Sequence, residues 1–153
     1  MPVALSLLRS SRVGAFMVRG FNAMSRGAGW IGCKRSVMPK ALRDAYAAPY
    51  DTWDHRIATL RFVQDIPLGP EDASYADVTI VEESLPRFLG TPALVCWGER
   101  DFVFDREVLD VWRGKWPHAE VHAFADCGHY VLEDAPEEIV PRVRAFLQTH
   151  PLS

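Results

Sequence analysis

Hydrophobic positions change their period part-way along the chain. In the first half they recur at helical spacing: Leu5, Leu8, Val13, Phe16, Met17 and Phe21 fall three or four residues apart, predicting a helix from Leu5 to about Phe21 with Gly14 and Gly20 as weak points. Gly27-Ala28-Gly29 reads as a break. Pro39 can open a helix running to about Ala47, and Pro49 ends it. A further helix from Thr52 to about Val63 would set Trp53, Ile57, Leu60 and Val63 on one face. Pro67, Gly69 and Pro70 then force an irregular connection, followed by a helix from about Thr79 to Leu89.

From Ala93 the pattern becomes that of strands alternating with helices. Ala93 to Trp97 is a continuous apolar run of strand length ending at Gly98, as expected of a strand buried on both faces of a parallel sheet. Asp105 can cap a helix to about Trp116 that buries Val108, Leu109, Val111 and Trp112, and Pro117 lies just beyond it. Glu120 to Phe124 is a second strand. The last helix opens with Asp134 and Glu137 at capping-box spacing, carries Pro136 near its first turn, and aligns Ile139, Val140, Val143, Phe146 and Leu147 in one stripe. The fold class is therefore α/β, with a helical segment over residues 1–70 and, over 71–153, a βαβα unit whose parallel strands are connected by a right-handed crossover.

Composition adds few constraints. With 153 residues, 48% of them hydrophobic, the chain is long enough for one globular body with a real core. No apolar run approaches the roughly 18–20 residues of a membrane-spanning helix. Residues 1–43 hold eight Lys or Arg and no acid, although the net charge of the whole chain is -3. A mitochondrial presequence has such a composition, as does a nucleic-acid or membrane-surface patch. Here, though, apart from the Lys34-Arg35 pair the bases stand singly rather than in a run, so no nucleic-acid partner is expected. Cys33, Cys96 and Cys127 are odd in number and lack ligand spacing, which suits a reducing cytoplasm. Neither a glycine-rich phosphate loop nor a His/carboxylate cluster is present, so no cofactor or metal is expected.

Two candidate chemical groups stand just past the two strands, where parallel sheets present their ligands. Asp101 follows Trp97-Gly98-Glu99-Arg100, and His129 follows Asp126-Cys127-Gly128. A carboxylate facing an imidazole holds one ring nitrogen protonated and leaves the other free to take a proton. Gly98 and Gly128 would permit the sharp turns involved. Asp126 and Asp65 are rival acids, and Asp101 could instead merely cap a helix, although Asp105 is the better cap. Trp53, Phe62, Phe102 and Phe104 could line an apolar substrate pocket, or be ordinary core.

Trp97-Gly98-x-x-Asp101, then Gly128-His129 twenty-eight residues later, then Glu133, Pro136 and an amphipathic helix resemble the final third of the α/β-hydrolases. Ala48-Pro49-Tyr50 and the run from Arg61 to Leu68 resemble the end of the cap in haloalkane dehalogenase-like enzymes, and in particular the branch of bacterial β-lactone decarboxylases of olefin synthesis. The resemblance implies a partial α/β-hydrolase fold, with residues 1–70 as helical cap and 71–153 as the end of the core. It also implies that His129 is the base and Asp101 its orienting acid, acting on an apolar small-molecule substrate with a nucleophilic Asp from an elbow upstream of the cap. No such elbow occurs in this sequence. Ser25, in Ala23-Met24-Ser25-Arg26-Gly27, imitates one superficially but lacks a preceding strand. Cys127 is a loop spacer. The chain alone is therefore expected to be inactive, with a bare sheet edge that pairs with an N-terminal half or with a second copy. A non-catalytic binding or subunit module is the alternative.

Overall fold

The computed structural model describes residues 11–151, so Leu5 and Leu8 of the first expected helix lie outside it. Two compact units result: residues up to Ile31 together with Met38–Glu83, and Gly32–Val37 together with everything from Ser84 onward. The short segment Gly32–Val37 thus belongs to the second unit although the elements on either side of it belong to the first.

The first unit is helical. Helix α1 (Arg12–Phe21) is capped by the Ser11 side chain, which accepts from the Gly14 N–H, and α2 spans Ala23–Ile31. The break between them falls at Asn22, whose φ of 53° is left-handed and whose Nδ2 donates to the Tyr50 carbonyl. Contrary to expectation, Gly27-Ala28-Gly29 lies inside α2. Gly29 there lets the Arg43 side chain approach closely, and Arg43 stacks over Trp30. Tertiary packing outweighs the weak helix propensity of glycine. Helix α3 (Lys40–Ala47) begins after Pro39 and ends in a 3-10 turn at Ala48–Tyr50, as the prolines indicate.

Helix α4 (Ile57–Asp65) starts five residues later than its hydrophobic spacing suggests. The reason is Arg56, whose guanidinium donates to the carbonyls of Tyr50 and Asp51 and to those of Arg19 and Gly20 in the last turn of α1. A cation there satisfies the free carbonyls of a helix end. Trp53 consequently lies outside the helix, while Leu60 and Val63 are buried. Helix α5 (Tyr75–Ser84) begins earlier than expected and passes into a 3-10 turn at Leu85–Phe88.

In the second unit β1 (Leu94–Gly98) and β2 (Glu120–Phe124) pair in parallel, from Leu94 opposite Glu120 to Gly98 opposite Phe124. Helix α6 (Arg106–Lys115) connects them. Asp105 caps it, its carboxylate accepting from the N–H groups of Glu107 and Val108. Helices cover both faces of the pair. On one side Leu109 is fully buried, and an apolar cavity of about 170 Å³ lies among Val95, Leu109, Trp112, Trp116 and Val121. On the other, Phe124, Cys127, Ala135 and Ile139 form the core, with Cys96 and Val131 packed against it. This core joins the short helix α7 (Val131–Asp134) and α8 (Pro136–Thr149) to the strands.

Three expectations about this unit need correction. The side chains of Leu94 to Trp97 are only half-buried. Val111 is exposed, as are Val140, Val143 and Leu147 of the last helix, because periodicity marks an apolar face without saying what covers it. Helix α8 carries no side-chain cap, and its N-cap position is Ala135 rather than Asp134.

The other edge of β1 has no partner strand among the described residues. Glu120 N–H donates to the Ala93 carbonyl and Glu99 N–H to that of Phe124, so the odd-numbered backbone groups of β1 face β2. Those of Leu94 and Cys96 point the opposite way, where no strand stands among the described residues.

Ile139→Ala should cost about 2–5 kcal/mol in urea unfolding, because Ile139 is 1% exposed. Val111→Ala should stay within about 0.5 kcal/mol.

Candidate active site

The parallel register brings the ends of β1 and β2 to one level, and backbone contacts then stitch together the loops that leave them. Arg100 N–H donates to the Cys127 carbonyl at 2.9 Å. A Cβ on Gly98 would lie 2.2 Å from the Gly128 carbonyl oxygen, and one on Gly128 would lie 2.3 Å from that of Gly32. Both glycines are required by this close approach. They are not there for a special turn, since no glycine among the described residues has a positive φ.

Asp101 and His129 meet on these loops, with His129 Nδ1 2.8 Å from Asp101 Oδ2. The other carboxylate oxygen, Oδ1, accepts from the N–H groups of Val103 at 2.7 Å and Phe104 at 3.1 Å. Two backbone donors on one oxygen fix the carboxylate plane and leave its second oxygen for the imidazole. The loop is tied down further by Trp97 Nε1, which donates to the Phe104 carbonyl. The Asp101 side chain is 9% exposed and that of His129 30%. With an N–H at Nδ1 directed to the carboxylate, Nε2 is left as an acceptor for a proton.

Aromatic rings collar the imidazole. Phe102, Phe104 and Tyr130 have centroids 5.5, 5.9 and 5.6 Å from that of His129. Phe102 and Phe104 were expected near a pocket, whereas Tyr130 was missed although it adjoins His129 in sequence. Trp53 and Phe62 belong to the helical unit. Trp53 packs beneath Arg19 and beside Phe16, and Phe62 lines a shallow depression with Ala58, Arg61 and Asp65. Neither lines the cavity of about 520 Å³ that opens in that unit among Asn22, Arg26, Trp30, Arg43 and Arg56.

The rival groups have other partners. Asp126 is gripped through both oxygens by the Arg35 guanidinium, which also reaches Glu137 and Glu138. Asp65 accepts from the Ser74 hydroxyl. Ser25 sits within helix α2, away from any strand-to-helix turn. Cys127 is fully buried, and burial together with the nearby Asp126 and Asp134 pushes its thiol up to about 12, which suppresses the thiolate a nucleophile requires. Among the described residues no group of three or more His, Cys, Asp or Glu is placed to hold a metal ion, and no helix is long and apolar enough to cross a membrane.

The sequence reading also missed Asp134. It is 6% exposed, and instead of capping α8 it accepts from the N–H groups of Lys34, Arg35 and Gly128. No local signal could have revealed Lys34 and Arg35, about a hundred positions away, as its partners.

A parallel βα unit with an acid and an imidazole on adjacent strand-end loops defines an α/β core of hydrolase type. The sequence profile described as alpha/beta hydrolase fold matches residues 21–136, and the chain belongs to that family. It is 51% identical over 147 residues to a cis-3-alkyl-4-alkyloxetan-2-one decarboxylase of Shewanella oneidensis, covering 96% of this chain and 46% of that protein. To the enzyme of the same description in Xanthomonas campestris it is 48% identical, covering 99% of this chain and 50% of that one. Its fold is similar to that of a crystallised haloalkane dehalogenase of Bradyrhizobium elkani, with a TM-score of 0.78 at 24% identity over 95% of this chain and 50% of that one. The chain thus spans about half the length of the relatives it matches and corresponds to their C-terminal half.

Two measurements check this electrostatic description. Iodoacetamide at pH 8 should label Cys127 at least about a hundredfold more slowly in the native chain than in urea, since a thiol held near 12 has far fewer thiolates than a free one. Arg35 beside Asp126 holds that carboxyl below its usual range, so the stability it contributes is present above about pH 4 and lost as the pH falls through the depressed value. Arg35→Gln should therefore lower the melting temperature at pH 7, with the difference from the unaltered chain narrowing as the pH falls below the usual carboxylate range.

Proposed function

We propose that this chain supplies the acid and base of an Asp-His-Asp triad, Asp101 and His129, in an α/β-hydrolase of the haloalkane dehalogenase-like or β-lactone decarboxylase-like kind. The observation that carries the reading is the 2.8 Å approach of His129 Nδ1 to Asp101 Oδ2, with the second carboxylate oxygen already occupied by backbone donors. In this reading His129 Nε2 takes a proton from water or from a reacting group, and Asp101 stabilises the imidazolium that results. The substrate is an apolar small molecule, and the alkyl-substituted oxetanone named for the two relatives is the first to test. Phe102 and Phe104 beside His129 suit such a substrate, and Trp53 and Phe62 are the candidates from a cap formed by residues 1–70.

The nucleophilic Asp comes from the N-terminal half of the fold, which also covers the free edge of β1. A homodimer across that edge is the competing arrangement. By itself the chain should not turn over substrate, because a base without a nucleophile has no covalent intermediate to resolve.

The test is a complementation assay in solution. The purified chain alone should give no turnover of haloalkanes, p-nitrophenyl esters or 3,4-dialkyl oxetanones. Produced together with the N-terminal half of the Shewanella relative, it should co-purify and gain oxetanone turnover, lost in His129→Ala and reduced in Asp101→Asn by on the order of 10⁴. Turnover by the isolated chain that disappears in His129→Ala would overturn the inactivity. A complementing pair whose rate ignores both substitutions would favour a non-catalytic binding or subunit module.

A further inference from the structure

We propose that Asp134 is a positioning residue for His129, holding the imidazole in register with Asp101 through the backbone that flanks it. The proposal rests on the reading of Asp101 and His129 as a working pair and extends it to a group outside that pair.

The backbone on both sides of His129 is fixed from three directions. Gly128 N–H donates to Asp134 Oδ2 at 2.7 Å, Tyr130 N–H donates to the Gly32 carbonyl at 3.3 Å, and the Cys127 carbonyl accepts from Arg100 at 2.9 Å. Asp134 makes the first restraint itself and supports the segment that makes the second. Its Oδ1 accepts from Lys34 N–H at 2.9 Å and Arg35 N–H at 3.0 Å, and its Oδ2 also lies 2.9 Å from the Lys34 nitrogen. One buried carboxylate thus joins residues 34 and 35 to residue 128, and the same segment presents the Gly32 carbonyl to Tyr130.

The requirement is for two acceptor oxygens and not merely for a polar side chain. Three N–H donors converge on the carboxylate, so an amide there would turn an NH₂ donor towards another donor. Burial makes such a mismatch costly, because the unpaired groups are shielded from water. Gly128 explains why a disturbance here would reach the ring: it immediately precedes His129 and packs so closely that a Cβ on it would lie 2.3 Å from the Gly32 oxygen. Without its anchor the Gly128 amide would be free to reorient, and the adjoining His129 would lose its fixed register with Asp101.

The Arg35 side chain reinforces the arrangement from outside, bridging Asp126 just before the loop to Glu137 and Glu138 in the first turn of α8. Those contacts are largely solvent-exposed and are expected to stiffen the loop without setting the orientation of the ring.

The test uses the full 153-residue chain with ¹⁵N-labelled histidine, whose ring-nitrogen shifts report the tautomer of His129. In the unaltered chain the proton should reside on Nδ1, facing Asp101. Asp134→Asn should mix the two tautomers and speed exchange of the Gly128 amide proton by at least about tenfold, whereas Arg35→Gln should leave the tautomer unchanged. Should Asp134→Asn fail to fold, Asp134→Glu, which keeps the charge but carries it one methylene further, is read in the same way. A folded Asp134 variant with a lowered melting temperature but the original tautomer overturns the proposal, leaving Asp134 a structural group only. Asp101→Asn separates this from failure of the underlying pair: if it too leaves the His129 tautomer unaltered, the ring does not answer to Asp101 at all.

Discussion

Parallel pairing of β1 and β2, with Gly98 opposite Phe124, is the constraint on which the rest of the second unit depends. It sends the loops after both strands over the same end of the sheet. An antiparallel pair would have delivered Asp101 and His129 to opposite ends. Two strands are a marginal assembly by themselves, so the register is secured from the faces, by Leu109 on one side and by Phe124 and Ile139 on the other. Core packing and site geometry are therefore the same problem here. A slip of one residue would expose Phe124 and part the two loops together.

Polar interactions complete what packing begins. The carboxylates of Asp101 and Asp134 are both held by backbone N–H donors, on one oxygen in Asp101 and on both in Asp134, and to different ends. Asp101 is oriented by its own loop, through Val103 and Phe104, so that one oxygen remains for the imidazole. Asp134 draws on distant chain, through Lys34 and Arg35, so that none remains. The first arrangement can form as soon as its loop does, while the second must wait for residues nearly a hundred positions apart to meet.

That difference also marks how much could be read from the sequence. Strand positions, the Asp105 cap and the helix after Pro39 were legible because each is encoded within a few residues. The Asp101–His129 meeting was legible too, since each residue lies a fixed short distance past an apolar run. Asp134 was misread because Asp, Pro and Glu at capping spacing imitate a helix start, while its real partners carry no local mark. Gly27 and Gly29 were misread as a break because their helix is held by Arg43 stacked on Trp30, and the start of α4 was misplaced because Arg56 serves the end of α1. The apolar stripe of α8 was read correctly as a pattern, yet Val140, Val143 and Leu147 face outward. Sequence periodicity records which face seeks cover and not what provides it.

The route of the backbone through Gly32–Val37 bears on how this protein can be divided. Because that hexapeptide is inserted from one unit into the other, no single cut separates them cleanly. A gene segment encoding only residue 84 onward would strand the Asp134 carboxylate in the interior without its Lys34 and Arg35 donors. The βαβα unit is accordingly not a portable module: in recombination or protein dissection it has to travel with a piece of the helical region that precedes it.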